Sequence, residues 1–356
     1  MITGTPSAAA AAPANTSFSD IDVDVIRADI LSRLEGRDLV ALGCVSAELH
    51  RLATRHDLWE SIIESAWPST RHHPDFLGLI KSFPNGPSSF FSQSFPLLNP
   101  ATATTAAQDQ DRRSEDVVGP SSGLERVVSA VDVSYRGKNI FSTVHGTETG
   151  TGWFRGSPFR IDLLEPRDIV PTPIRKNAGG DEETCRDLFG EMTLSWVLID
   201  PTQHRAVNLS SFRPVAVQRR WWSGEVVVRF ASILPTHVMC CIEVTCAGAG
   251  GDEGGQGGED EELHVREVSM RVEDIDGAHL RGEHSLVILE TAFGGKRVNR
   301  DGKEGETVKS KYEEFMDKRR ERKERRLKRE GRLDLLCISF AVSVFVAFFM
   351  VLIFGR

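Results

Sequence analysis

Residues 335–354, LLCISFAVSVFVAFFMVLIF, run for twenty positions without a charged side chain. Wound as a helix, such a run is apolar on every face, so no face of it suits water. At about 1.5 Å per residue it covers about 30 Å, the thickness of a bilayer's hydrocarbon core. Immediately before it lies KRRERKERRLKREGR (318–332), with ten Lys or Arg against three Glu. A basic run in that place stays on the cytosolic side and meets anionic headgroups. Only Gly355 and Arg356 follow. The expected arrangement is a tail anchor: a charged basic juxtamembrane helix over 298–332 leading into a transmembrane helix over 333–356, with Leu335 and Phe354 bounding the span. The competing readings are a buried hydrophobic helix, or a nuclear-localisation-like basic run with an apolar tail.

Near the other end, Phe18 to Pro68 carries apolar residues at helical spacing: Val23, Ile26, Ile30 and Leu34, then Leu39 and Leu42, then Val45, Leu49 and Leu52, then Leu58, Ile62 and Ala66. Ser19 and Asp20 are placed to cap a first helix, and Gly36 to follow its end. Asp57 with Glu60 makes the spacing of a capping box, and Pro68 closes the last helix. Three or four short helices of this size bury little by themselves, and such a unit often completes its core against a partner.

Asp29-Ile30-Leu31-Ser32-Arg33-Leu34, Asp38-Leu39, Cys44-Val45-Ser46 and Asp57-Leu58-Trp59 follow one another in an order that resembles an F-box. The resemblance implies docking of the first helices onto the Skp-type adaptor of a cullin–RING ubiquitin ligase. Ile26, Ile30, Leu31, Leu34, Leu39 and Val45 would contribute to that contact. One departure stands at the entry, where the family's usual Leu-Pro is Ile26-Arg27.

A chain of 356 residues has room for two domains plus tails. Its formal charge of −8 argues against a general nucleic-acid binder. Six cysteines without a disulfide-scaffold rhythm favour a reducing compartment. The Ala-rich start lacks a preceding basic residue and is broken by Pro13, so 1–17 reads as a disordered leader. Residues 68–123 read as an irregular segment, with phenylalanines that pack, followed by a flexible linker without apolar period over 101–123.

From Leu124 the apolar period changes from helical to two. Val127, Ser129, Val131, Val133 and Tyr135 alternate along one strand, and the residues about Gly137 turn the chain into Ile140-Phe141. Further runs at 158–164, 192–200, 214–222, 225–234, 237–246, 263–275 and 284–293 are rich in Val, Ile, Thr and aromatics. Eight or more strands, with no ten-residue helix evident between them, predict an antiparallel β-sandwich-like domain over 124–297. The fold class is then α+β and multidomain: a small all-α unit over 18–67, the β-domain and the C-terminal helices. The segments SAVDVSYRGKNIFS, SPFRIDLL and VREVSMRVEDIDG, with the long run from Leu194 to Phe230, resemble one group of plant F-box proteins that carries a β-rich C-terminal domain.

No catalytic constellation emerges, and neither a cofactor nor a metal is expected. GAGGDEGGQGG (248–258) lacks the Lys-Ser/Thr of a phosphate loop, and its acidic neighbours repel phosphate, so it reads as a mobile acidic loop. His237, Cys240, Cys241 and Cys246 do not complete a zinc set, because successive residues of a strand point to opposite faces. His72-His73 has no carboxylate partner in view. Arg219-Arg220-Trp221-Trp222 is the candidate target-binding group, with one indole expected inward and the other outward as a partner anchor. The competing reading is simple packing at a strand end, with Gly224 turning the chain. Both sequons, at Asn15 and Asn208, would face the cytosol unused.

These readings imply a non-catalytic substrate receptor in which the helices recruit the adaptor and, through it, a cullin. The β-domain selects a protein target, and the tail holds both at a membrane, expected to be the endoplasmic reticulum, with the bulk of the chain facing the cytosol. The rival is a membrane-anchored scaffold that carries an F-box and joins no ligase.

Overall fold

The computed structural model describes residues 21–99, 122–176, 180–248, 262–298 and 303–355. The expected leader, nearly all of the expected linker, the candidate caps Ser19 and Asp20, the sequon at Asn15 and the acidic loop lie outside these residues. The chain divides into two compact units, Met1–Ile63 and Glu64–Arg356.

The first unit is helical. It opens with α1 (Val23–Val25), capped by the Asp22 carboxylate, which accepts from the Asp24 amide. The helix then widens into a π turn over Ile26–Ile30 and tightens into a 3-10 turn over Leu31–Arg33. α2 (Gly36–Gly43), α3 (Ala47–Ala53) and α4 (His56–Ala66) follow. Gly36 therefore begins α2 instead of stopping the first helix. Ser46 caps α3, its hydroxyl accepting from the Leu49 amide. The Asp57 carboxylate accepts from the side chains of Arg27 and Arg55.

The second unit begins with α-helices where an irregular segment is expected from the sequence. α5 (Pro74–Lys81) and α6 (Pro87–Ser94) each start on a proline, which costs nothing at a first turn that has no intrahelical use for its amide. Phe76, Phe83 and Trp67 meet Phe90 edge to face, with centroids 5.4–6.2 Å apart.

Twelve strands form two sheets among the described residues. The first joins β1 (Leu97–Leu98), β2 (Arg126–Tyr135), β3 (Lys138–Glu148), β6 (Met192–Asp200), β7 (Arg205–Asn208) and β12 (Arg297–Val298) in the order β12-β1-β7-β6-β2-β3. The second joins β4 (Arg160–Asp162), β8 (Ala216–Arg219), β9 (Val226–Leu234), β10 (Val238–Gly248) and β11 (Glu262–Glu273) in the order β4-β11-β10-β9-β8, with β5 (Val170–Arg175) also on β11. All pairings are antiparallel save β1 on β7. The β2–β3 hairpin turns at Arg136 and Gly137, both with positive φ, as its two-residue loop requires.

Val131 and Trp196 of the first sheet share one core with Val228, Ile242 and Met270 of the second. Each fully buried aliphatic side chain in it contributes about 2 kcal/mol. Two helices complete this core and correct the expectation of strands alone. α7 (Gly152–Gly156) is short, but α8 (Asp181–Glu191) runs for 11 residues and α9 (Gly282–Phe293) for 12. The run at 284–293, expected to be a strand, is α9: Leu286, Leu289 and Phe293 recur at helical spacing and are buried, whereas a strand would have turned Leu286 and Leu289 to opposite faces. PFRIDLL contributes only the three residues of β4.

Both sheets are covered on their outer faces as well. On the first, Trp67 Nε1 donates to Ser195 Oγ at 2.9 Å, and the buried Asp132 carboxylate accepts from the Ser69 amide and hydroxyl, both at 2.7 Å. On the second lies α10 (Lys303–Phe354), where the sequence suggests a separate juxtamembrane helix and span; it is one continuous helix of 52 residues. Tyr312 and Phe315 pack there on Val215, Ala231, Met239, Cys241 and Ile275. Arg319 then reaches Glu273 at 3.1 Å, over Gly277 (φ 86°), where any Cβ would collide with the guanidinium.

The fold makes a direct prediction about where the β-domain ends. A chain ending at residue 332 keeps this covering stripe and melts cooperatively, whereas one ending at 302 exposes the apolar face and melts at lower temperature or aggregates. In the former, Phe315→Ala costs about 3 kcal/mol, read from the shift of its urea-unfolding midpoint.

Candidate functional site

Two groups of residues stand out for binding, one in each unit. In the first unit, the π turn decides which apolar side chains are spent on the core. The Leu31 amide bonds back to Ile26 and Arg27, so the residue five positions on, and not four, lies beneath Ile26. Leu31 is accordingly buried with Ile26 and Leu39, together with Trp59, whose indole donates to the Ala53 carbonyl at 2.7 Å. Of the six residues that the sequence assigns to an adaptor contact, Ile26, Leu31 and Leu39 are therefore internal. Ile30 and Val45 are exposed, Val45 by 72%, and Leu34 is half-buried. Val25 and Val40, 46% and 50% exposed, are apolar surface that the helical stripe gave no reason to single out.

Arg27, at the position where the family's proline would stand, has a structural partner here. Its guanidinium meets Asp57 of α4 at 2.5 Å, and with Arg55 it ties the first turns to the last helix of the unit. Burial works to raise the Asp57 carboxyl, but the hydrogen bond from Arg55 and the charges of Arg27 and Arg55 carry it below the usual carboxylate value.

In the second unit, β8 gives way after Arg219 to a turn, so the expected split of the two indoles across a strand does not occur. The Gly224 amide bonds the Arg220 carbonyl at 2.8 Å, with Gly224 at φ 70°. Arg220 is paired with Glu225 at 2.9 Å, and Arg219 with Asp181 of α8. The two guanidinium groups are thus spent on building the turn. The indoles are what it presents: Trp221 and Trp222 are 86% and 67% exposed and meet edge to face, 5.6 Å between centroids.

Beside Trp222 is a hollow of about 210 Å³, lined also by Gln218, Arg219, Arg220, Arg229 and Glu243. Glu243 is buried in the middle of the sheet and is held by Arg229 at 2.7 Å and by Arg271. Burial alone would raise its carboxyl, yet the Arg229 hydrogen bond and the charges of Arg271 and Arg229 hold it below the usual range. The strand registers place this turn at one end of the second sheet, where Arg219, Val226 and Cys246 are level. α10 leaves the sheet at the opposite end, beside Glu273, which is level with Met239.

Cys240, Cys241 and Cys246 are dispersed. Cys240 and Cys246 point into the core between the sheets, and Cys241 faces the cluster under α10. Burial raises all three thiols, those of Cys241 and Cys246 to about 12. His237 is exposed, in a short turn. Asn208 of the second sequon is buried, its amide donating to Ser195 Oγ at 3.2 Å.

The arrangement is a small helical unit with apolar side chains left exposed, and a two-sheet domain presenting paired indoles. Three Arabidopsis thaliana proteins are similar to nearly the whole chain. "Probable F-box protein At2g36090" is 43% identical over 92% of this chain and 91% of its own length. "F-box protein At2g27310" is 36% identical over 93% and 94%, and "F-box protein At3g44326" 37% identical over 87% and 82%. No family model matches the chain, and no solved structure does. On this similarity the chain belongs to the plant F-box protein family.

The buried Glu243 carries a prediction of its own. Removing its charge leaves Arg229 and Arg271 facing each other half-buried, so Glu243→Gln should destabilise a chain ending at 332 by about 3 kcal/mol at neutral pH. Because the folded-state pKa of Glu243 is depressed, its contribution is present above the unfolded-state pKa and is lost as pH falls through the folded value. Urea unfolding at a series of pH values should show the gap between wild type and variant closing only in that acid range.

Proposed function

We propose that this chain is the substrate-receptor subunit of a cullin–RING ubiquitin ligase, working at a membrane surface. The observation that carries the reading is similarity to F-box proteins across some nine-tenths of the chain, F-box and β-domain together. In this reading the first unit docks on a Skp-type adaptor through side chains its own core leaves free, Ile30, Leu34 and Val45, with Val25 and Val40 added. Apolar groups exposed on a small unit gain most by being covered by a partner. Ile26, Leu31 and Leu39 act indirectly, by fixing the shape that displays them. The chemistry of ubiquitin transfer belongs to other subunits, and this chain supplies proximity and choice of target.

Target selection falls to the second unit. Rigid, exposed indoles are efficient anchors, because they bury a large area at little entropic cost. The turn bearing Trp221 and Trp222 lies at the end of the sheet away from the departure of α10, so it points into the cytosol once the helix is anchored. α10 is the one helix among the described residues long and apolar enough to cross a membrane. The residues of its apolar run are not buried against the rest of the chain. We place the span at Leu335–Phe354, with the basic stretch and both units on the cytosolic side, and the endoplasmic reticulum as the membrane.

Two experiments test this reading. Val45→Asp places a charge on a side chain that the unit's own core does not use, so it should abolish capture of adaptor and cullin while leaving the melting temperature unchanged. Capture like wild type would leave the scaffold reading in its place. Full-length protein should resist high salt and alkaline carbonate and yield to detergent, whereas a chain ending at 332 should be soluble and still bind adaptor. Protease added outside intact membranes should digest both units. Their protection would reverse the topology and remove them from the cytosolic adaptor.

A further inference from the structure

The basic stretch of α10 is not uniform, and its ion pairs divide it. Lys311 and Lys318 both hold Glu314, and Asp317 holds Arg320. Arg319 and Arg322 are drawn to Glu273 and Asp276 of the β-domain. Arg325 is paired with Glu321, and Arg326 with Glu330. Lys323 also lacks an acidic partner among the described residues but stands about 18 Å before Leu335. Nearer the apolar run, no acidic group among the described residues is paired with Lys328, Arg329 or Arg332. With 3.6 residues per turn, these three fall on one side of the helix, with Arg332 one turn beyond both Lys328 and Arg329. Asp334, the next acid, falls toward the opposite side. All three cations are exposed. At about 1.5 Å per residue they stand about 4–11 Å before Leu335, where the uncharged run begins. The headgroup layer on one side of a bilayer is about 5–8 Å deep.

We propose that Lys328, Arg329 and Arg332 form a binding site for the anionic headgroups of phospholipids in the cytosolic leaflet. This rests on the membrane-anchor reading and sharpens it from a basic run to three residues. The paired cations upstream are already neutralised and serve the helix and its seat on the β-domain. Arg332 stands at headgroup depth, and the long side chains of Lys328 and Arg329 reach down to it. Three unneutralised cations thus attract the phosphate and carboxylate groups of lipids that the apolar helix has already brought within reach.

The test uses the full chain reconstituted into phosphatidylcholine vesicles that carry a minor fraction of spin-labelled lipid, either phosphatidylserine or phosphatidylcholine. Electron paramagnetic resonance reads the motionally restricted fraction of each lipid. Wild type should hold several-fold more labelled phosphatidylserine than phosphatidylcholine, and salt should reduce the excess. Changing Lys328, Arg329 and Arg332 together to Gln should abolish the excess. Changing Arg320, Lys323 and Arg326 to Gln, the same loss of charge farther along the stretch, should keep most of it. Equal losses in the two triple variants, or no excess in wild type, would overturn the site while the anchor stands. Extraction of the wild type by alkaline carbonate would overturn the anchor reading and the site with it.

Discussion

Both sheets of the second unit bury apolar side chains on both faces, and that constraint organises the rest of the unit. On β10, Cys240, Ile242 and Val244 turn inward to the shared core, while Met239 and Cys241 between them are as fully buried on the other side. A sheet of that composition cannot leave its outer face to water, so further elements must cover it. On the first sheet the cover is the helical stretch from Trp67 to Phe95, fastened by polar bonds to Ser195 and Asp132. On the second it is the first third of α10.

α10 therefore does two jobs with two kinds of apolar surface. Near its start the apolar residues form a stripe, with Tyr312, Phe315 and Met316 against the sheet and Val308 buried one turn before Tyr312, which needs only one face of the helix. Toward its end they occupy every face, which suits lipid. Arg319 and Arg322 pin the helix to the domain just before it departs, and ion pairs one turn apart support the exposed stretch that follows. Because no break separates the stripe from the apolar run, the element that closes the domain's core also carries that run. The end of the sheet carrying Trp221 and Trp222 lies opposite the one from which α10 departs.

In the first unit the decisive feature is a departure from regular helix. One π turn moves the buried position from Ile30 to Leu31 and leaves Ile30 outside. Arg27 also fits this geometry, since its pairing with Asp57 closes the unit at its surface. Exposed pairs of this type contribute at most about 1 kcal/mol, so the apolar core and not this pair sets the stability.

The sequence by itself determined the parts whose signal is local. The helical period before Pro68, the switch to period two at Leu124, the turn at Gly137 and the uncharged run at 335–354 each follow from residues close together in the chain, and each is where the sequence places it. Ordered motifs from Asp29 to Trp59 carried the family. Only tertiary structure decided the rest, because it depends on what lies opposite. The run at 284–293 has strand-like composition and becomes α9, where one helical face meets the core. Trp221 and Trp222 read as strand residues and stand on a turn, since Arg219 and Arg220 find acidic partners at Asp181 and Glu225. The expected boundary at 297 ignores α10, whose stripe has meaning only beside Ala231, Met239 and Cys241, residues distant in sequence. Of the ten cations in 318–332, Arg319 and Arg322 likewise find their acids, Glu273 and Asp276, only through the fold, whereas the partners of Lys318, Arg320, Arg325 and Arg326 lie one turn away on the same helix.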